Sequence, residues 1–378
     1  MTFDFDDSPD RRAGDSVKWN KYGSDDVIPM WVADMDFRSP PVVVEALARR
    51  VEQGVFGYSA PMPALADAIC TYLAQRHGWQ VSPDWIVWLP GLVSGLNVVC
   101  RAVGQPGDAV MTAIPVYPPF RSAPKLSGRR VIEVALKQEG GHWGWNWPAM
   151  EAAVTADTRL LLLCSPHNPV GRVWTRQELM DISAFCERHG LVICSDEIHC
   201  DLTLDEAHPH LPTAALSADI ANRTITLMAP SKTWNVAGLG CAFAIVPDAR
   251  LRHQVEMAAR GIVPHVNLFG YVAAEAAYRC GESWRVALID YLRGNRELLM
   301  RELNGYRGVS VSPVQATYLA WIDVRALALA QPCKHFEEAG VGLSDGADFG
   351  MPGFLRLNFG CARQLLEEGI ARFRRAIP

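Results

Sequence analysis

Residues 227–240 (LMAPSKTWNVAGLG) place one lysine, Lys232, between an apolar run and a glycine-rich turn. This pattern predicts that Lys232 lies at the end of a strand and away from bulk water. Burial disfavours the ammonium form, so it lowers the pKa of a lysine and leaves a nucleophilic amine. Such an amine can form a Schiff base with an aldehyde. An ordinary loop lysine is the alternative, and so short a motif does not decide between the two.

Two polar side chains follow other predicted strands and could share a site with Lys232. Residues 159–164 form a continuous apolar run typical of a buried parallel strand, and they lead to Asn168 between two prolines. Residues 191–194 form a second such run and lead to Asp196. Because open α/β sheets bind ligands beyond the carboxyl ends of their strands, we expect Asn168, Asp196 and Lys232 to meet there.

A tyrosine and a glycine turn offer two further kinds of contact. Tyr117 lies between Pro115 and Pro118, which restrict its ring direction, and it could stack on a flat heteroaromatic ligand or simply pack in a loop. The turn at residues 90–95 precedes a helix predicted at 96–103. A helix start presents free backbone N–H groups and suits a phosphate, although many helices begin after glycine.

Together these groups match the requirements of one cofactor, pyridoxal 5'-phosphate. Lys232 would carry the cofactor aldehyde as an imine, and Asp196 would hold a proton on the pyridine nitrogen, which makes the ring an electron sink. Asn168 would donate to the ring hydroxyl oxygen, and Tyr117 would stack on the ring. The phosphate would contact the backbone of the turn and one nearby hydroxyl, that is Gly91, Leu92, Val93 and Ser231.

Composition places the chain among ordinary globular proteins. Its 378 residues are 49% hydrophobic and 20% charged, and this length predicts two domains or one large domain with an appendage. The net charge of -5 does not indicate the positive charge that is typical of nucleic-acid-binding proteins. The ten cysteines include no C-x-x-C pair, so we expect reduced thiols and no metal site. Without a secretory signal or an uncharged apolar run of about 18 residues, a cytoplasmic protein with no membrane span is expected.

The order of the predicted strands and helices that must position these residues changes along the chain. Strands and helices alternate through the first two thirds, which predicts a doubly wound sheet with a large cofactor-binding domain at residues 42–282. Later residues favour helices at 249–261, 268–280, 284–303 and 364–376 and strands at 309–311, 318–322 and 354–359. We expect residues 283–378 to form a smaller α+β domain that recruits residues 1–41. Trp143, Trp145 and Trp147 recur with a period of two and predict a packed hairpin or a covered edge.

Eight short motifs, spread over nearly the whole chain, carry a resemblance to a known family. They are KWNKYG (18–23), WVADMDF (31–37), FGY (56–58), PVYPPF (115–120), SPHNPVGR (165–172), SDEIHCDL (195–202), APSKTWNVAGL (229–239) and LRLNFG (355–360). With them the chain resembles the fold-type I pyridoxal-phosphate enzymes of the class I/II aminotransferase superfamily. Within that superfamily it is most similar to the MalY/PatB-type cystathionine β-lyases, which are C–S lyases.

This resemblance implies an aspartate aminotransferase-like fold, with a large, mostly parallel mixed sheet between helices and a smaller α+β domain. It implies that Arg356 binds the substrate α-carboxylate as a bidentate fork, near Asn168 and the backbone of Ala33 and Asp34. It also implies that Tyr58 reaches the cofactor phosphate of the neighbouring subunit. The active form would then be a homodimer with a shared active site.

Two positions depart from the usual aminotransferase pattern. Gly240 stands where an arginine usually follows the lysine by eight residues, and His199 stands where a tyrosine often follows the aspartate by three. Both departures favour the lyase branch. His199 could tune the ring hydroxyl of the cofactor or simply pack near Asp196. Trp234 replaces a phenylalanine common in that branch and could reshape the pocket slightly.

The predicted reaction is α,β-elimination of L-cystathionine or a related cysteine S-conjugate, with Lys232, Tyr117 and Asp196 as the catalytic residues. Lys232 would remove the α-proton, the β-thiolate would leave, and hydrolysis would give pyruvate and ammonia. An aminotransferase on the same fold is the alternative. A non-enzymatic protein that acts through a regulatory partner surface is a third reading. The identity of the leaving thiol stays open.

Overall fold

A computed structural model describes residues 3–23 and 26–378 of the chain, so residues 1, 2, 24 and 25 of the predicted N-terminal segment lie outside the description. Its helices are α1 (Pro41–Glu52), α2 (Pro63–His77), α3 (Leu92–Ala102), α4 (Pro119–Leu126), α5 (Trp147–Ala153), α6 (Arg176–Arg188), α7 (Ala218–Ala221), α8 (Ala249–Ala259), α9 (Leu268–Cys280), α10 (Glu282–Leu303), α11 (Pro332–Glu338) and α12 (Arg363–Ala376). None of the described helices is long and apolar enough to cross a membrane.

The strands are β1 (Ile28–Pro29), β2 (Ile86–Leu89), β3 (Ala109–Ile114), β4 (Arg130–Ala135), β5 (Lys137–Glu139), β6 (His142–Gly144), β7 (Thr158–Cys164), β8 (Val192–Asp196), β9 (Thr224–Met228), β10 (Ala242–Ile245), β11 (Ser310–Val311), β12 (Leu319–Asp323), β13 (Val341–Gly342), β14 (Ser344–Asp345) and β15 (Phe354–Asn358). Seven of them form the large sheet in the order β2-β10-β9-β8-β7-β3-β4. Strands β4, β3, β7, β8 and β9 run parallel, and β10 is antiparallel to both of its neighbours. The prediction of a mostly parallel mixed sheet is therefore confirmed.

Burial on both faces explains why the central strands read as continuous apolar runs. All five residues of β9 are buried, and so are six of the seven in β7. Parallel strands covered by helices on both faces have this pattern, whereas apolar and polar residues alternate along the strands of a sheet with one solvent-exposed face. Helix α6 begins with a capping box, in which Thr175 and Glu178 each bond the backbone N–H of the other.

A second, antiparallel sheet forms from the C-terminal part of the chain in the order β11-β12-β15-β14. The helices predicted in this part are confirmed as α8, α9, α10 and α12. Strand β1 pairs with β13, so Ile28 lies opposite Val341 and the N-terminal residues join the C-terminal ones. Of the tryptophans predicted to form a packed hairpin or a covered edge, Trp143 lies in the hairpin of β5 and β6, Trp145 follows it and is also buried, and Trp147 begins α5.

The helix after the glycine turn begins earlier than predicted, at Leu92 instead of residue 96. Gly95 consequently lies inside α3, where an added Cβ would be 3.1 Å from a side-chain carbon of Leu89. This glycine permits close packing of the helix on the sheet, and Gly91 takes the N-cap position. The predicted start was wrong because one of the two glycines marks packing and not a turn.

Residues 30–37, which we call the strap, link the N-terminal segment to α1 without regular secondary structure. A buried ion pair anchors the strap, because the ammonium of Lys18 lies 2.6 Å from the carboxylate of Asp36 and also donates to the carbonyl oxygen of Asp34. Asn358 on β15 donates to the carbonyl oxygens of Val32 and Asp34. These contacts hold the strap against β15 of the second sheet and against the N-terminal segment.

Candidate active site

A cavity of about 230 Å³ lies where β7, β8 and β9 end. The cavity is lined by almost all of the predicted site residues, namely Ala33, Gly91, Leu92, Val93, Tyr117, Asn168, Asp196, His199, Ser231, Lys232 and Arg356. Only Tyr58 and Asp34 among the predictions are not part of this lining. Chain segments more than 300 residues apart in sequence therefore converge on one enclosed space.

Lys232 follows β9 by four residues, and its side chain reaches across the cavity to the strap. Its amine donates to the carbonyl oxygen of Ala33 at 2.5 Å. The pKa of Lys232 is lowered to about 8, mainly by burial; nearby Asp34 acts in the opposite direction, and Arg356 contributes to the lowering. Because this pKa lies close to neutrality, a useful fraction of the amine is unprotonated and nucleophilic near pH 7 to 8.

Asp196 is the last residue of β8 and is buried, and one of its carboxylate oxygens accepts from the backbone N–H of Ile198. Burial raises the pKa of Asp196 to about 7. Within the described residues, no cation forms an ion pair with this carboxylate. A buried carboxylate facing a cavity without a cationic partner is suited to a protonated ring nitrogen, which would restore its ionised form.

Arg356 on β15 and Asn168 beyond β7 are hydrogen-bonded to each other in the cavity wall. Arg356 donates from Nη1 to the side-chain oxygen of Asn168 at 3.1 Å and from Nη2 to the carbonyl oxygen of Trp31 at 2.8 Å. The Nε of Arg356 is buried and has no partner in the described structure, so it can take a carboxylate oxygen. Since the oxygen of Asn168 is used, its NH₂ group is the part that faces a ligand.

Tyr117 and the start of α3 border the remaining sides of the cavity. The backbone N–H of Tyr117 donates to the carbonyl oxygen of Asn168 at 3.1 Å, which fixes the two loops to each other. Burial raises the pKa of Tyr117, so its hydroxyl stays protonated at neutral pH. Gly91 precedes the first turn of α3, whose N–H groups have no intrahelical partners and can seat an anion beside Ser231.

His199 is buried in the cavity wall, and its Nδ1 has no partner among the described residues. The pKa of His199 is lowered to about 3, mainly by burial and also by the nearby positive charges of Lys232 and Arg356, so the ring is neutral. A neutral imidazole with one free nitrogen can bond a ligand. Either of the two roles considered for His199, bonding the cofactor or packing, is compatible with this position.

Two predicted residues point elsewhere within this chain. The carboxylate of Asp34 forms an ion pair with Arg11 at 2.7 Å, and its carbonyl oxygen is bonded by Lys18 and Asn358. Asp34 therefore stabilises the strap instead of lining the cavity. Tyr58 is fully exposed and lies outside the cavity of its own chain.

Tyr318 is a neighbour of the site that the sequence analysis missed. It precedes β12 and is buried, and its hydroxyl donates at 3.2 Å to the same carbonyl oxygen of Ala33 that Lys232 bonds. Sequence periodicity gives no signal for such a residue, because a tyrosine beside a strand is typical of core packing.

The arrangement of these groups fits pyridoxal phosphate. It combines an amine of lowered pKa, a buried carboxylate without a cation, an amide with a free NH₂ group and an exposed helix start, all on one cavity. The orphaned nitrogens of Arg356 and His199 leave two further bonds for a ligand.

Comparison with known sequences identifies the class. The sequence profile described as Aminotransferase class I and II matches residues 25–373, so the chain belongs to this family.

Individual proteins show more specifically what the chain is similar to. The chain is 37% identical over 390 residues to cystathionine beta-lyase PatB of Bacillus subtilis (strain 168), covering 99% of both chains. The crystal structure of OvoB superimposes with a TM-score of 0.97 at 46% identity and covers 99% of each chain. Cystalysin from Treponema denticola, a structure that contains pyridoxal 5'-phosphate, has a TM-score of 0.94 at 30% identity, with 100% of this chain and 99% of that chain covered. The predicted family and fold are thereby confirmed.

Proposed function

We propose that the chain is a pyridoxal-phosphate-dependent C–S β-lyase that cleaves L-cystathionine or a related cysteine S-conjugate to a thiol, pyruvate and ammonia. The observation that carries this proposal is the end-to-end similarity to a relative named cystathionine beta-lyase, together with a cavity that holds the matching side chains. The cofactor, when bound, withdraws electrons from the substrate α-carbon and makes its proton acidic.

The residues of the chain divide the work of holding that cofactor. Lys232 would attach it through the amine, and Asp196 would keep the ring nitrogen protonated. The NH₂ group of Asn168 is directed to a ring oxygen because its amide oxygen is held by Arg356. Tyr117 would cover one ring face, and the first turn of α3 with Ser231 would receive the phosphate.

Substrate binding would begin at Arg356. Its guanidinium is buried, so a carboxylate that replaces water there is held in a low-dielectric environment where charged hydrogen bonds are strong. The α-carbon of an amino acid held in this way would lie between Arg356 and Lys232, which both line the cavity. The free amine of Lys232, with its lowered pKa, could then accept the α-proton as general base.

Gly240 supports the lyase reading over an aminotransferase with the usual arginine at this position. Gly240 has a φ of +58°, and an added Cβ would lie 3.2 Å from the carbonyl oxygen of Pro90. A long side chain at this position would therefore be strained and crowded. An aminotransferase stays the alternative on the same fold, because transfer of the amino group begins with the same α-proton removal.

The decisive experiment supplies L-cystathionine to the purified, cofactor-loaded protein without any keto acid. We expect steady release of thiol and pyruvate in equal amounts over many turnovers, because β-elimination needs no amino-group acceptor. Lactate dehydrogenase with NADH would follow pyruvate, and a thiol reagent would follow the other product. Activity that requires an added keto acid would reassign the protein as an aminotransferase. Other cysteine S-conjugates in the same assay would rank the leaving thiols.

We also propose that the active form is a homodimer in which Tyr58 serves the neighbouring site. Several exposed apolar side chains flank Tyr58 in the chain, namely Val51, Val55, Phe56 and Met62. A cluster of exposed apolar groups on a protein surface is typical of an interface. Residues 42–282 would form the large domain and residues 1–41 with 283–378 the small one. The free cysteines fit a reducing compartment, and we propose the cytoplasm.

A mixed dimer tests the placement of Tyr58. Lys232→Ala and Tyr58→Ala chains, each nearly inactive alone, are unfolded together and reassembled. If Tyr58 acts across the interface, each mixed dimer regains one intact site, and statistical mixing returns roughly a quarter of the parental activity. Each variant, unfolded and reassembled alone, is the control. No recovery in dimers shown to be mixed would place the action of Tyr58 in its own chain or outside the site.

A further inference from the structure

The strap has an unusual source of hydrogen bonds for its backbone. It belongs to no sheet over most of its length, yet its carbonyl oxygens accept from side chains of distant parts of the chain. Arg356 bonds the carbonyl oxygen of Trp31, Asn358 bonds those of Val32 and Asp34, and Asn235 bonds those of Met35 and Phe37. Buried backbone groups need partners, and here side chains of β15 and of the turn after β9 supply them.

Ala33 differs from the other strap residues because its carbonyl oxygen accepts from the lysine of the cavity and from a buried tyrosine beside the cavity. The amine of Lys232 lies at 2.5 Å and the hydroxyl of Tyr318 at 3.2 Å. When Lys232 is attached to a cofactor its amine has another partner, whereas Tyr318 can bond Ala33 in both situations. Tyr318 therefore keeps the carbonyl oxygen of Ala33 in place when the amine of Lys232 is not attached to the cofactor.

Thr317 fixes the direction of Tyr318. It is fully buried and has a φ of +74°, a left-handed conformation that a β-branched residue rarely adopts. Three contacts impose it: its N–H donates to the carbonyl oxygen of Leu202, its hydroxyl accepts from the N–H of Leu319, and its hydroxyl also bonds the carbonyl oxygen of Leu319. Backbone strain of this kind is found where the surrounding structure requires one side-chain direction.

We propose that Tyr318 is a positioning residue that fixes the carbonyl oxygen of Ala33 as the acceptor orienting the free amine of Lys232. The inference rests on the proposed use of Lys232 as the base. With one N–H held by Ala33, the lone pair of the amine is directed towards the substrate. The α-proton then passes to the Lys232 nitrogen, the electron pair stays on the substrate carbon, and the ammonium that forms is bonded to a carbonyl oxygen already in place.

The test uses Tyr318→Phe, which keeps the ring and removes the hydroxyl. L-Alanine has no β leaving group, so exchange of its α-proton in D₂O, followed by NMR on the loaded enzyme, reports the action of Lys232 independently of elimination. We expect exchange about tenfold slower at saturation, with the alanine concentration for half-saturation changed less than twofold. In L-cystathionine turnover the same loss should fall on kcat and not on KM.

A second measurement concerns the protein without cofactor. Hydrogen–deuterium exchange of the N–H groups of Asp34 and Asp36 should rise at least about fivefold in Tyr318→Phe, since the strap loses one anchor, while α8 stays unchanged. Tyr271→Phe removes the hydroxyl of a buried tyrosine outside the cavity and should match the parent in both measurements. 3-Fluorotyrosine at position 318 keeps an O–H donor and should restore α-proton exchange.

Three results would overturn the inference. The first is α-proton exchange within twofold of the parent in Tyr318→Phe. The second is an equal loss in Tyr271→Phe, and the third is failure of 3-fluorotyrosine to restore exchange. If pyruvate forms without a keto acid but Tyr318→Phe does not slow alanine exchange, the lyase function stands and only this inference fails. If Tyr318→Phe slows alanine exchange but turnover needs a keto acid, this inference stands and the lyase function fails.

Discussion

Replacing Lys232 with alanine should abolish the yellow colour of the purified protein and lower pyruvate formation by roughly 10⁴-fold or more, since both the covalent anchor and the general base are removed. The structure gives the reason: Lys232 is the one described lysine in the cavity lining, and its amine faces the strap across that cavity. Absorbance spectroscopy and the keto-acid-free assay measure the two losses separately.

The control for Lys232→Ala is Lys125→Ala, which removes an exposed lysine from α4 and should keep both colour and activity. Borohydride reduction of the loaded parent, followed by peptide mapping, should place the cofactor on the peptide that contains Lys232. A tag on another lysine would disprove the assignment of the site. Retained colour in Lys232→Ala would do so as well.

Replacing Asp196 with asparagine should keep the fold and lower kcat by about 10²- to 10⁴-fold. Asparagine has the shape of aspartate but no charge, so the ring nitrogen would lose the buried partner that keeps it protonated. Removing one partner of a buried ion pair typically costs about 3–5 kcal/mol, and each 1.36 kcal/mol corresponds to a factor of ten in rate. The measurement is kcat and KM for L-cystathionine at saturating cofactor, with KM expected to change less than a few-fold.

Asp219→Asn is the matched control for Asp196→Asn, because Asp219 is exposed on α7 and is not part of the cavity lining. It should behave like the parent in turnover and in cofactor affinity. A kcat for Asp196→Asn within threefold of the parent would show that the carboxylate does not support the ring. The buried position of Asp196 would then need a purely structural explanation.

The site could be predicted from sequence to the extent that its chemistry follows strand ends. Asn168, Asp196 and Lys232 each come after an apolar run, and parallel strands bring such positions together by a general rule. Arg356 has no such signal, because it lies inside a strand of the other sheet, and only the resemblance to a family indicated it. Its place in the cavity depends on how two sheets pack, which local patterns do not encode.

Other details were beyond prediction for related physical reasons. The start of α3 was misplaced because Gly95 serves helix–sheet packing, a contact that involves Leu89 and Leu227 from separate strands. Tyr318 escaped notice because its role depends on a left-handed Thr317, and the sequence around it shows no glycine or asparagine that would mark such a conformation. Both depend on long-range contacts, which decide conformation where local preference is weak.

The pairing of β1 with β13, and of the strap with Arg356 and Asn358, determines when during its synthesis this protein can become active. When Lys232, Asp196 and Asn168 have left the ribosome, the growing chain still lacks the later residues that pair with β1 and hydrogen-bond the strap on the N-terminal side of the cavity. Contacts between residues so far apart in sequence form late and slowly. Cofactor capture with full catalytic geometry therefore requires synthesis to pass residue 358, and a translation arrest before residue 355 would yield a nascent chain with its lysine in place and no finished active site.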